Sequence, residues 1–421
     1  MFERGVAVIG LGYIGLPTSA AIASQGVMVK GVDVNPATVD AINAGLVPIV
    51  EPDLDVVVAG AVARGSLVAS LTVPEADAFL IAVPTPFTDD HKPDMSYVES
   101  AARAIAPVLR GGEVVILEST SPPGTTRQIS EWIAAERPDL KLPHVAPDAP
   151  DVHVAHCPER VLPGRIMVEL VTNDRVVGGI TRACAEKAAA IYKLFCKGDI
   201  LLTDAESAEM SKLVENSFRD VNIAFANELA SICEEMKLDV WEVIELANKH
   251  PRVNVLRPGP GVGGHCIAVD PWFIVAGAPA QAKLIRQARN TNDGRPDVVV
   301  GMVTEAARAD DRPIACLGLA FKADIDDLRE SPAVTVVKRL AEAHPSREVI
   351  AVEPHVDALP ESLGGLVNLR LAGLEEALNL CGVVVLLVDH QVFKAVDRAR
   401  LVDKQLIDTR GIWRTARNWP A

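Results

Sequence analysis

The chain has 421 residues, 49% of them hydrophobic and 23% charged, and its formal net charge is −15 at pH 7. One ordinary hydrophobic core does not accommodate this length, so two or three globular domains are expected. Nucleic-acid binding draws on concentrated Lys and Arg, and the acidic balance therefore argues against such a partner. The acidic net charge is still compatible with a small anionic ligand that is held by a local cluster of basic residues.

The N-terminal sequence and the cysteines indicate a cytoplasmic protein. The apolar run Val6–Ile9 is too short for the hydrophobic region of a signal peptide, and no stretch approaches the length of a membrane span. Seven cysteines occur without a CxxC pair or a zinc-type spacing. We therefore expect reduced thiols, in a compartment that tolerates one reactive cysteine.

A GxGxxG motif at residues 10–15 is the first strong signal in the chain. A strand is predicted at Val6–Ile9, a helix at Leu16–Gln25 and a second strand at Val27–Val32, which Asp33 follows directly. In this strand–turn–helix context the motif binds a dinucleotide, whose pyrophosphate lies at the helix N-terminus.

Each glycine of the motif has its own expected role. Gly10 permits a tight turn, Gly12 lets the pyrophosphate approach the backbone, and Gly15 lets the helix pack on the strand. Asp33 is expected to accept the hydroxyls of the adenosine ribose and to repel a 2′-phosphate, which favours NAD over NADP.

Hydroxyl side chains follow the next two predicted strands, Ala78–Val83 and Val114–Leu117. Ligands of an open parallel sheet bind beyond the carboxyl ends of its strands, so Thr85, Ser119 and Thr120 are placed to line a nicotinamide site. A hydroxyl after a strand is equally an ordinary helix cap, and Thr120 stays open between the two roles. Two later hydroxyls are interpreted as caps, namely Ser121 and Thr125.

Residues 137–156 are rich in Pro, Asp and His but match no metal-ligand spacing. The candidate ligands are His144, Asp148, Asp151, His153 and His156. We expect a solvated loop here and no metal. The following turn, Cys157–Gly164, contains two prolines and places Glu159 beside Arg160.

A long helix is predicted from Ala205 to Lys237, a stretch without Gly or Pro whose apolar positions recur at helical spacing. Such a helix suits a connection between two α/β domains. Lys212 and Asn216 lie four residues apart and therefore share one of its faces. The alternative is a solvated polar pair, although Asn within a helix is mildly unfavourable.

The stretch Gly259–Pro271 presents a lone cysteine after a glycine-rich run. Cys266 follows this run directly, and Asp270 comes four residues later. Glycines allow a ligand to approach the backbone closely, which suits the presentation of a thiol. An isolated cysteine is otherwise most often a small buried hydrophobe.

A third α/β unit is predicted after a helix at Ala280–Asn292. Its strands are Pro313–Gly318, Glu348–Val352 and Val383–Val388. The loop Phe321–Pro332 follows the first of them and carries basic residues before a helix. This arrangement is typical of a phosphate site or of a charged connecting loop, and the residues leave both readings open.

These motifs, in this order, resemble the UDP-glucose/GDP-mannose 6-dehydrogenase family nearly end to end. Within the family they are most like the bacterial UDP-N-acetyl-D-mannosamine branch. The segments that carry the resemblance are Val83–Phe87, Cys157–Gly164, Glu215–Asn222, His250–Asn254 and Cys266–Trp272.

The resemblance implies an α/β fold with two Rossmann-like, doubly wound domains joined by a central long helix. The implied parts are an NAD-binding domain (1–203), a central helical dimerisation region with the cysteine loop (204–300), and a C-terminal UDP-binding domain (301–421). The expected assembly is a homodimer in which Arg252 reaches the sugar site of the partner.

The resemblance also implies a four-electron oxidation, in which the C6 alcohol of a UDP-N-acetylhexosamine becomes a carboxylate while two NAD are reduced. An aldehyde gives up hydride readily only after a nucleophile adds to it, so Cys266 is expected to form a thiohemiacetal and then a thioester. Lys212 and Asn216 are expected to stabilise the oxyanion. Asp270, with Lys212, is expected to handle the alcohol proton and an ordered water.

Hydrolysis of the thioester is assigned by the same resemblance to Glu159 as general base, with Thr120 holding water nearby. The residues expected to bind the cofactor are Gly10, Gly12, Tyr13, Ile14, Gly15, Asp33, Thr85, Thr120 and Arg329. Those expected to bind the sugar nucleotide are Glu159, Arg160, Val161, Lys212, Asn216, Arg219, His250, Arg252, Gly263, His265, Phe321 and Lys322.

Three positions favour a 2-acetamido sugar over glucose. His265, Ala268 and Val269 stand where the UDP-glucose branch often has tyrosine, proline and lysine. The leading interpretation is therefore a UDP-N-acetyl-D-mannosamine dehydrogenase that supplies surface-polysaccharide synthesis, with UDP-N-acetylglucosamine and UDP-glucose as alternative substrates. A non-catalytic nucleotide-sugar sensor is disfavoured, because binding alone needs neither a nucleophile nor a base.

Overall fold

The computed structural model describes residues 2–49, 51–88, 90–162, 164–264 and 266–414. The chain divides into two compact units, the first of residues 1–215 with 272–278 and the second of residues 216–271 with 279–421. Each unit contains a sheet of mainly parallel strands with helices between them, so the predicted fold class is confirmed.

The first unit is built on an eight-stranded sheet, counted over the described residues. Its strands are β1 (Val6–Ile9), β2 (Val29–Val32), β3 (Leu67–Ser70), β4 (Ala78–Ile81), β5 (Val114–Leu117), β6 (His153–His156), β7 (Arg175–Gly179) and β8 (Ile200–Asp204). Its helices are α1 (Gly15–Ser24), α2 (Pro36–Asn43), α3 (Leu54–Ala63), α4 (Ser96–Ile105), α5 (Thr125–Glu136), α6 (Ile166–Thr172) and α7 (Arg182–Tyr192).

The strand order of this sheet is β3-β2-β1-β4-β5-β6-β7-β8, and only the β6–β7 pairing is antiparallel. The chain runs from β1 outward to β3 and then returns to β4 on the other side of β1. Ligands of such a sheet bind at this reversal, beyond the carboxyl ends of β1 and β4. The glycine motif follows β1 and therefore lies there.

Both faces of the central strands are covered, as is usual where crossover helices flank a parallel sheet. Val6 and Val8 pack into the core on one face, whereas Ala7 and Ile9 pack into the core on the other. This alternation follows from the two-residue period of a strand. It explains why β1 is apolar at every position.

The prediction of a solvated loop over residues 137–156 is wrong at its end. His153–His156 forms β6, which pairs with β5 and β7. All four residues of this strand are buried, with His153 at 9% and His156 at 0% exposure. Burial disfavours the charged imidazole and lowers the pKa of His156 to about 3, so a neutral histidine serves as core.

Four helices follow the first sheet in the chain. They are α8 (Ala205–Glu235), α9 (Val240–Ala247), α10 (Asp270–Gly277) and α11 (Lys283–Ala306). The predicted long helix is confirmed as α8, and the chain leaves it through Lys237, whose φ of 57° is left-handed. Such a residue ends a helix by turning the backbone out of it.

Helix α11 continues well beyond the predicted end at Asn292. Pro296 lies inside it and lacks the amide hydrogen that a helical turn needs. Val299 and Val303, in the following turns, are fully buried in the core of the second sheet. Their burial outweighs the local cost of the proline and holds the helix together past it.

The second unit is built on a five-stranded sheet, again counted over the described residues. Its strands are β9 (Ile314–Leu317), β10 (Val349–Val352), β11 (Leu369–Leu371), β12 (Val383–Leu386) and β13 (Gln405–Asp408), and its remaining helices are α12 (Pro332–Ala343), α13 (Leu374–Leu380) and α14 (Gln391–Lys394). The order is β11-β10-β9-β12-β13 with parallel pairing throughout, so its reversal lies between β9 and β12. None of the helices among the described residues combines the length and hydrophobicity of a bilayer crossing.

Candidate active site

The turn after β1 requires glycine, for steric reasons, at two of the three glycine positions of the GxGxxG motif. Gly10 has a φ of +93°, and a Cβ there would lie 2.5 Å from the carbonyl oxygen of Ala82. A Cβ on Gly15 would lie 1.8 Å from the carbonyl oxygen of Gly10. Around Gly12 no described atom comes within 4 Å of the Cβ position, which leaves the space that an approaching pyrophosphate needs.

Asp33 is held beside this turn by its own carboxylate. Its Oδ2 accepts the N–H of Leu11 at 3.0 Å and its Oδ1 accepts the N–H of Asn35 at 2.9 Å. The carboxylate therefore stands at the carboxyl end of β2, next to the glycine turn. Together with the open space at Gly12, this arrangement fits a dinucleotide whose ribose faces Asp33.

The hydroxyls that follow β4 and β5 separate into two groups. Ser119 is buried and donates its Oγ–H to the carbonyl of Val83 at 2.7 Å, which ties the two strand ends together. Thr85 and Thr120 are half-buried, and their contact with a ligand stays a prediction.

The predicted caps of α5 are wrong. Gly124 is the residue before the helix, Thr125 donates its hydroxyl to the carbonyl of Pro122, and Ser121 Oγ finds no hydrogen-bond partner within the described residues. The capping group is the carboxylate of Glu209 on α8, which accepts the N–H of Gly124 at 2.6 Å and that of Thr126 at 2.7 Å.

Burial governs the chemistry of this capping carboxylate. Desolvation disfavours its charged form and raises the pKa of Glu209 to about 7, although its hydrogen bonds act in the opposite direction. The sequence contained no signal for the contact, because Glu209 lies 83 residues from Thr126.

Glu159 takes part in a buried ion pair. Its Oε2 lies 3.2 Å from both Nη1 and Nη2 of Arg175, and its Oε1 accepts the N–H of Arg160 at 2.7 Å. Arg160, the predicted neighbour, instead pairs its guanidinium with Glu215 at 2.7 Å. A forked contact of this kind fixes the orientation of a carboxylate. Arg175, which the sequence did not single out, therefore orients a predicted catalytic residue.

Behind Arg175 lies a second buried carboxyl group. The guanidinium stacks on the rings of Tyr192 and Phe195, at 4.9 Å and 5.3 Å from their centroids. The Tyr192 hydroxyl donates to Glu118 Oε1 at 2.8 Å. Burial, reinforced by the charge of nearby Glu159, raises the pKa of Glu118 to about 7. Its place at the carboxyl end of β5 was the signal that could have identified it.

In the second unit, two predicted catalytic residues are in direct contact. Asn216 Nδ2 donates to Asp270 Oδ2 at 2.5 Å, and both side chains are buried. Asp270 begins α10, and its amide donates to the carbonyl of Cys266 at 2.8 Å. The fold thus joins Asn216, Asp270 and the backbone of the cysteine turn.

Cys266 is the one exposed cysteine of the chain, all seven of which lie within the described residues. Cys157, Cys184, Cys233, Cys316 and Cys381 are buried, and Cys196 is half-buried. Burial raises the pKa of Cys157 and Cys381 to about 12, which makes these thiols poor nucleophiles. Cys266 therefore does not serve as a core residue, and its exposure agrees with a reactive role.

The glycines before Cys266 allow its turn to pack against the loop after β9. A Cβ on Gly263 would lie 2.4 Å from the carbonyl oxygen of Glu330, and one on Gly264 would lie 3.0 Å from the ring of Phe321. Two residues predicted to bind substrate, Gly263 and Phe321, are therefore neighbours. The predicted substrate residue His265 lies outside the described residues.

The other predicted binding residues are placed as follows. Those exposed to solvent are Tyr13, Arg219, His250, Arg252, Lys322 and Arg329, and those half-buried are Ile14, Val161 and Lys212. Arg329 forms an ion pair with Asp327 in the same loop. Thr120, Glu159 and Lys212 belong to the first unit, whereas Asn216, Cys266 and Asp270 belong to the second.

One group of side chains has the composition of a metal site. Asp324, His355 and His390 bring ligand atoms within 4.8 Å of one another in the described part of the chain. Nδ1 of His390 already accepts the N–H of Asp324, and its Nε2 contacts Glu353. Both ring nitrogens are thus engaged within the protein, and the absence of a metal stays a prediction.

Comparison with known proteins places the chain in a family. Family models of UDP-glucose/GDP-mannose dehydrogenases match it in three parts: the NAD binding domain over residues 4–196, the central domain over 206–294 and the UDP binding domain over 315–415. The chain belongs to the UDP-glucose/GDP-mannose dehydrogenase family, and the predicted cofactor, NAD, is confirmed.

Full-length relatives agree with this assignment. The chain is 57% identical over 418 residues to a UDP-N-acetyl-D-mannosamine dehydrogenase of Yersinia pestis, covering 97% of this chain and 99% of that protein. It is 56% identical over 415 residues to an NDP-N-acetyl-D-galactosaminuronic acid dehydrogenase of Ralstonia nicotianae, covering 98% and 97%. Among solved structures, the UDP-D-ManNAc dehydrogenase of Pyrococcus horikoshii is similar, with a TM-score of 0.87, 38% identity and coverage of 98% and 96%.

Proposed function

We propose that the protein oxidises the C6 alcohol of UDP-N-acetyl-D-mannosamine to the carboxylate and reduces two NAD in doing so. The observation that carries this proposal is the exposed thiol of Cys266, whose turn is bonded through Asp270 to Asn216. A binding protein has no need of such a group, whereas a two-step oxidation through an aldehyde does.

NAD accepts the hydride in each of the two oxidation steps. The first step converts the alcohol to an aldehyde, and the Cys266 thiolate then adds to the carbonyl carbon to form a thiohemiacetal. Loss of the second hydride leaves a thioester, which water cleaves to the acid and the free thiol. The amide of Asn216 and the ammonium of Lys212 stabilise the negative oxygen, and such donors contribute about 3–4 kcal/mol each in comparable sites.

Asp270 and Glu159 divide the proton transfers between them in this proposal. Asp270 is hydrogen-bonded to Asn216 and takes the alcohol proton together with Lys212. Glu159 activates the water that cleaves the thioester, and Thr120 holds that water. Arg175 keeps the Glu159 carboxylate in one orientation. This ion pair therefore helps to aim the carboxylate at the water that cleaves the thioester.

The side chain before Asp270 supports a sugar other than glucose. Val269 is buried, with 6% exposure, at the position where the UDP-glucose branch often has a lysine. A lysine at a site of this kind has its charge desolvated, which is costly without a partner. A galactosamine-type sugar nucleotide is a second candidate, because the Ralstonia nicotianae relative that carries this name is 56% identical to the chain.

The proposal is tested by substrate comparison. Purified protein is supplied separately with UDP-N-acetylmannosamine, UDP-N-acetylglucosamine, UDP-N-acetylgalactosamine and UDP-glucose, and kcat/KM and NADH formed per sugar are measured. We expect the highest kcat/KM with UDP-N-acetylmannosamine and two NADH per sugar. One NADH per sugar would contradict the thioester route, and a higher kcat/KM with another sugar would reassign the substrate.

We further propose a homodimer formed through α8. Exposed apolar side chains recur along this helix at intervals of seven residues in the second unit, at Phe218, Phe225 and Ile232, and Met236 follows just after the helix ends. The exposure of Phe218 is 69%, which is unusual for a phenylalanine in a monomer. A second copy of the same helix face covers such a stripe in a symmetric pair.

Arg252 is exposed and is proposed to bind the sugar nucleotide of the partner subunit. Arg252→Ala and Cys266→Ser proteins are each expected to be inactive alone. After mixing and subunit exchange, activity should return, because each mixed dimer then contains one site with both groups intact. A mixture that remains inactive although mixed dimers are present would show that Arg252 acts within its own chain.

We also propose that the chain is organised in three parts: an NAD-binding part (1–203), a central helical part (204–300) and a UDP-binding part (301–421). A cytoplasmic location is proposed from the seven cysteines, which form no disulfide within the described residues. The acid product suits the supply of sugars for surface polysaccharides.

A further inference from the structure

The strand order of the second sheet reverses between β9 and β12, where ligands of open parallel sheets bind. The loop over residues 318–331 follows β9 directly and therefore starts at this reversal. It carries Phe321 and Lys322, which the family resemblance predicts to bind the sugar nucleotide. Two buried polar side chains, Glu353 and His390, lie behind this loop and have no part in the mechanism described so far.

Glu353 follows β10 directly and holds the start of the loop. Its Oε2 accepts the backbone N–H of Leu319 at 2.7 Å and that of Ala320 at 3.0 Å. Burial by itself raises the pKa of Glu353, but hydrogen bonds from His390 and from these amides outweigh it and lower the pKa. The group is therefore a carboxylate that serves as acceptor for several donors at once.

His390 follows β12 and holds the middle of the loop. Its Nδ1 accepts the N–H of Asp324 at 2.9 Å, and its Nε2 lies 3.1 Å from Glu353 Oε2. A backbone N–H can only donate, so Nδ1 carries no proton, and the proton must lie on Nε2, which donates it to the carboxylate. The two contacts thus place the ring proton of His390 on Nε2.

The segment between these two attachment points carries the proposed ligand groups. Phe321 and Lys322 lie between Ala320, which is bonded to Glu353, and Asp324, which is bonded to His390. The Phe321 ring also lies against Gly264, two residues before Cys266. A shift of the loop therefore reaches both the nucleotide groups and the turn of the nucleophile.

We propose that Glu353 and His390 are positioning residues, which hold the loop over residues 319–324 in the conformation that binds the diphosphate of the sugar nucleotide. The inference rests on the UDP-sugar substrate proposed above. Its consequence is specific: loss of the His390 contacts weakens binding of the nucleotide. Binding of NAD should stay unchanged, because the glycine turn follows the other sheet and the cofactor contact predicted in this loop, Arg329, lies outside residues 319–324.

Three variants separate positioning from simple packing. His390→Leu fills the space but can neither donate nor accept, whereas His390→Gln can do both. His355→Gln is the matched control, because His355 is exposed and its ring lies 5.0 Å from that of His390, whereas its Nε2 approaches Asp324 Oδ1 only to 3.9 Å, beyond hydrogen-bond distance. The dissociation constant of UDP is measured by titration, alongside KM for the sugar nucleotide and for NAD.

We expect His390→Leu to raise the dissociation constant of UDP and KM for the sugar nucleotide about 10-fold, less than the roughly 100-fold that a 1 Å misplacement can cost. KM for NAD should stay unchanged. His390→Gln should restore most of the loss, and His355→Gln should behave as wild type. Equal UDP binding by wild type and a folded His390→Leu protein would overturn the proposal.

A measurement on the unaltered protein keeps the proposal testable if the leucine variant does not fold. ¹⁵N NMR of histidine-labelled protein is expected to show His390 with its proton on Nε2, and a proton on Nδ1 would overturn the proposal. Binding of UDP alone involves no oxidation. Failure of the positioning role is therefore distinct from failure of the proposed reaction, which the NADH yield of the wild-type protein tests.

Discussion

Replacement of Cys266 by serine is expected to lower the rate of acid formation by at least about 1,000-fold, since loss of the nucleophile in other covalent enzymes costs up to roughly 10⁶-fold. The substitution is nearly isosteric, so the fold should persist. A serine hydroxyl ionises far less readily than a thiol and does not replace it as nucleophile without an activating base. NAD binding should survive, because the glycine turn and Asp33 belong to the other unit.

The measurement is the yield of NADH and acid with excess NAD, together with a titration of NAD binding. Cys196→Ser is the matched control, since it makes the same chemical change at the half-buried cysteine. Its thiol donates to the carbonyl of Asn173, which a serine can also do. Wild-type acid formation by Cys266→Ser would remove the covalent mechanism, whereas an equal loss in the control would point to a general effect on folding.

Replacement of Asp220 by alanine is expected to destabilise the second unit by about 3–5 kcal/mol, the usual cost of removing one partner from a buried ion pair. Asp220 on α8 lies 2.5 Å from Nη1 of Arg289 on α11, and both side chains are buried. Asn292 adds a hydrogen bond to the same carboxylate at 2.8 Å. Without Asp220 the guanidinium keeps its charge in a buried site, where its remaining contact with the partly exposed Asp293 compensates the charge less well.

Chemical denaturation followed by circular dichroism measures this loss. Asp293→Asn is the matched control, because Asp293 pairs with the same arginine but is 48% exposed. Exposed pairs contribute about 1 kcal/mol or less, so the control should change little. Replacing Asp220 and Arg289 together by Leu and Met should recover part of the stability. Equal losses for Asp220→Ala and Asp293→Asn would show that burial does not set the strength of this pair.

Local patterns predicted the parts of the fold that depend on neighbouring residues. The glycine turn, the strand Val6–Ile9 and the helix α8 lie where their sequences placed them, α8 to within two residues. Steric limits on φ, strand alternation and helical spacing act over a few residues, so a single sequence reveals them. The two-domain α/β class and the family followed from these motifs in order.

Distant contacts were not predictable in the same way. Residues 153–156 include two histidines, and their sequence predicted a loop. They form the buried strand β6 because β5 and β7 pair with it on either side. Glu209 caps α5 from 83 residues away, and Arg175 orients Glu159 from another strand. Each of these pairings depends on where the sheet brings two segments together, which no local spacing encodes.

The sequence by itself predicted the family and the NAD cofactor, because these depend on residue types at short, regular spacings, and it singled out Cys266 as the candidate nucleophile. Only the tertiary structure decided that Cys266 is the exposed cysteine, that Asn216 bonds Asp270, and that Glu353 and His390 bond the backbone of the loop after β9. The physical reason is that burial and hydrogen-bond partners arise when segments far apart in the chain pack together. A side chain acquires its protonation state and orientation from that packing.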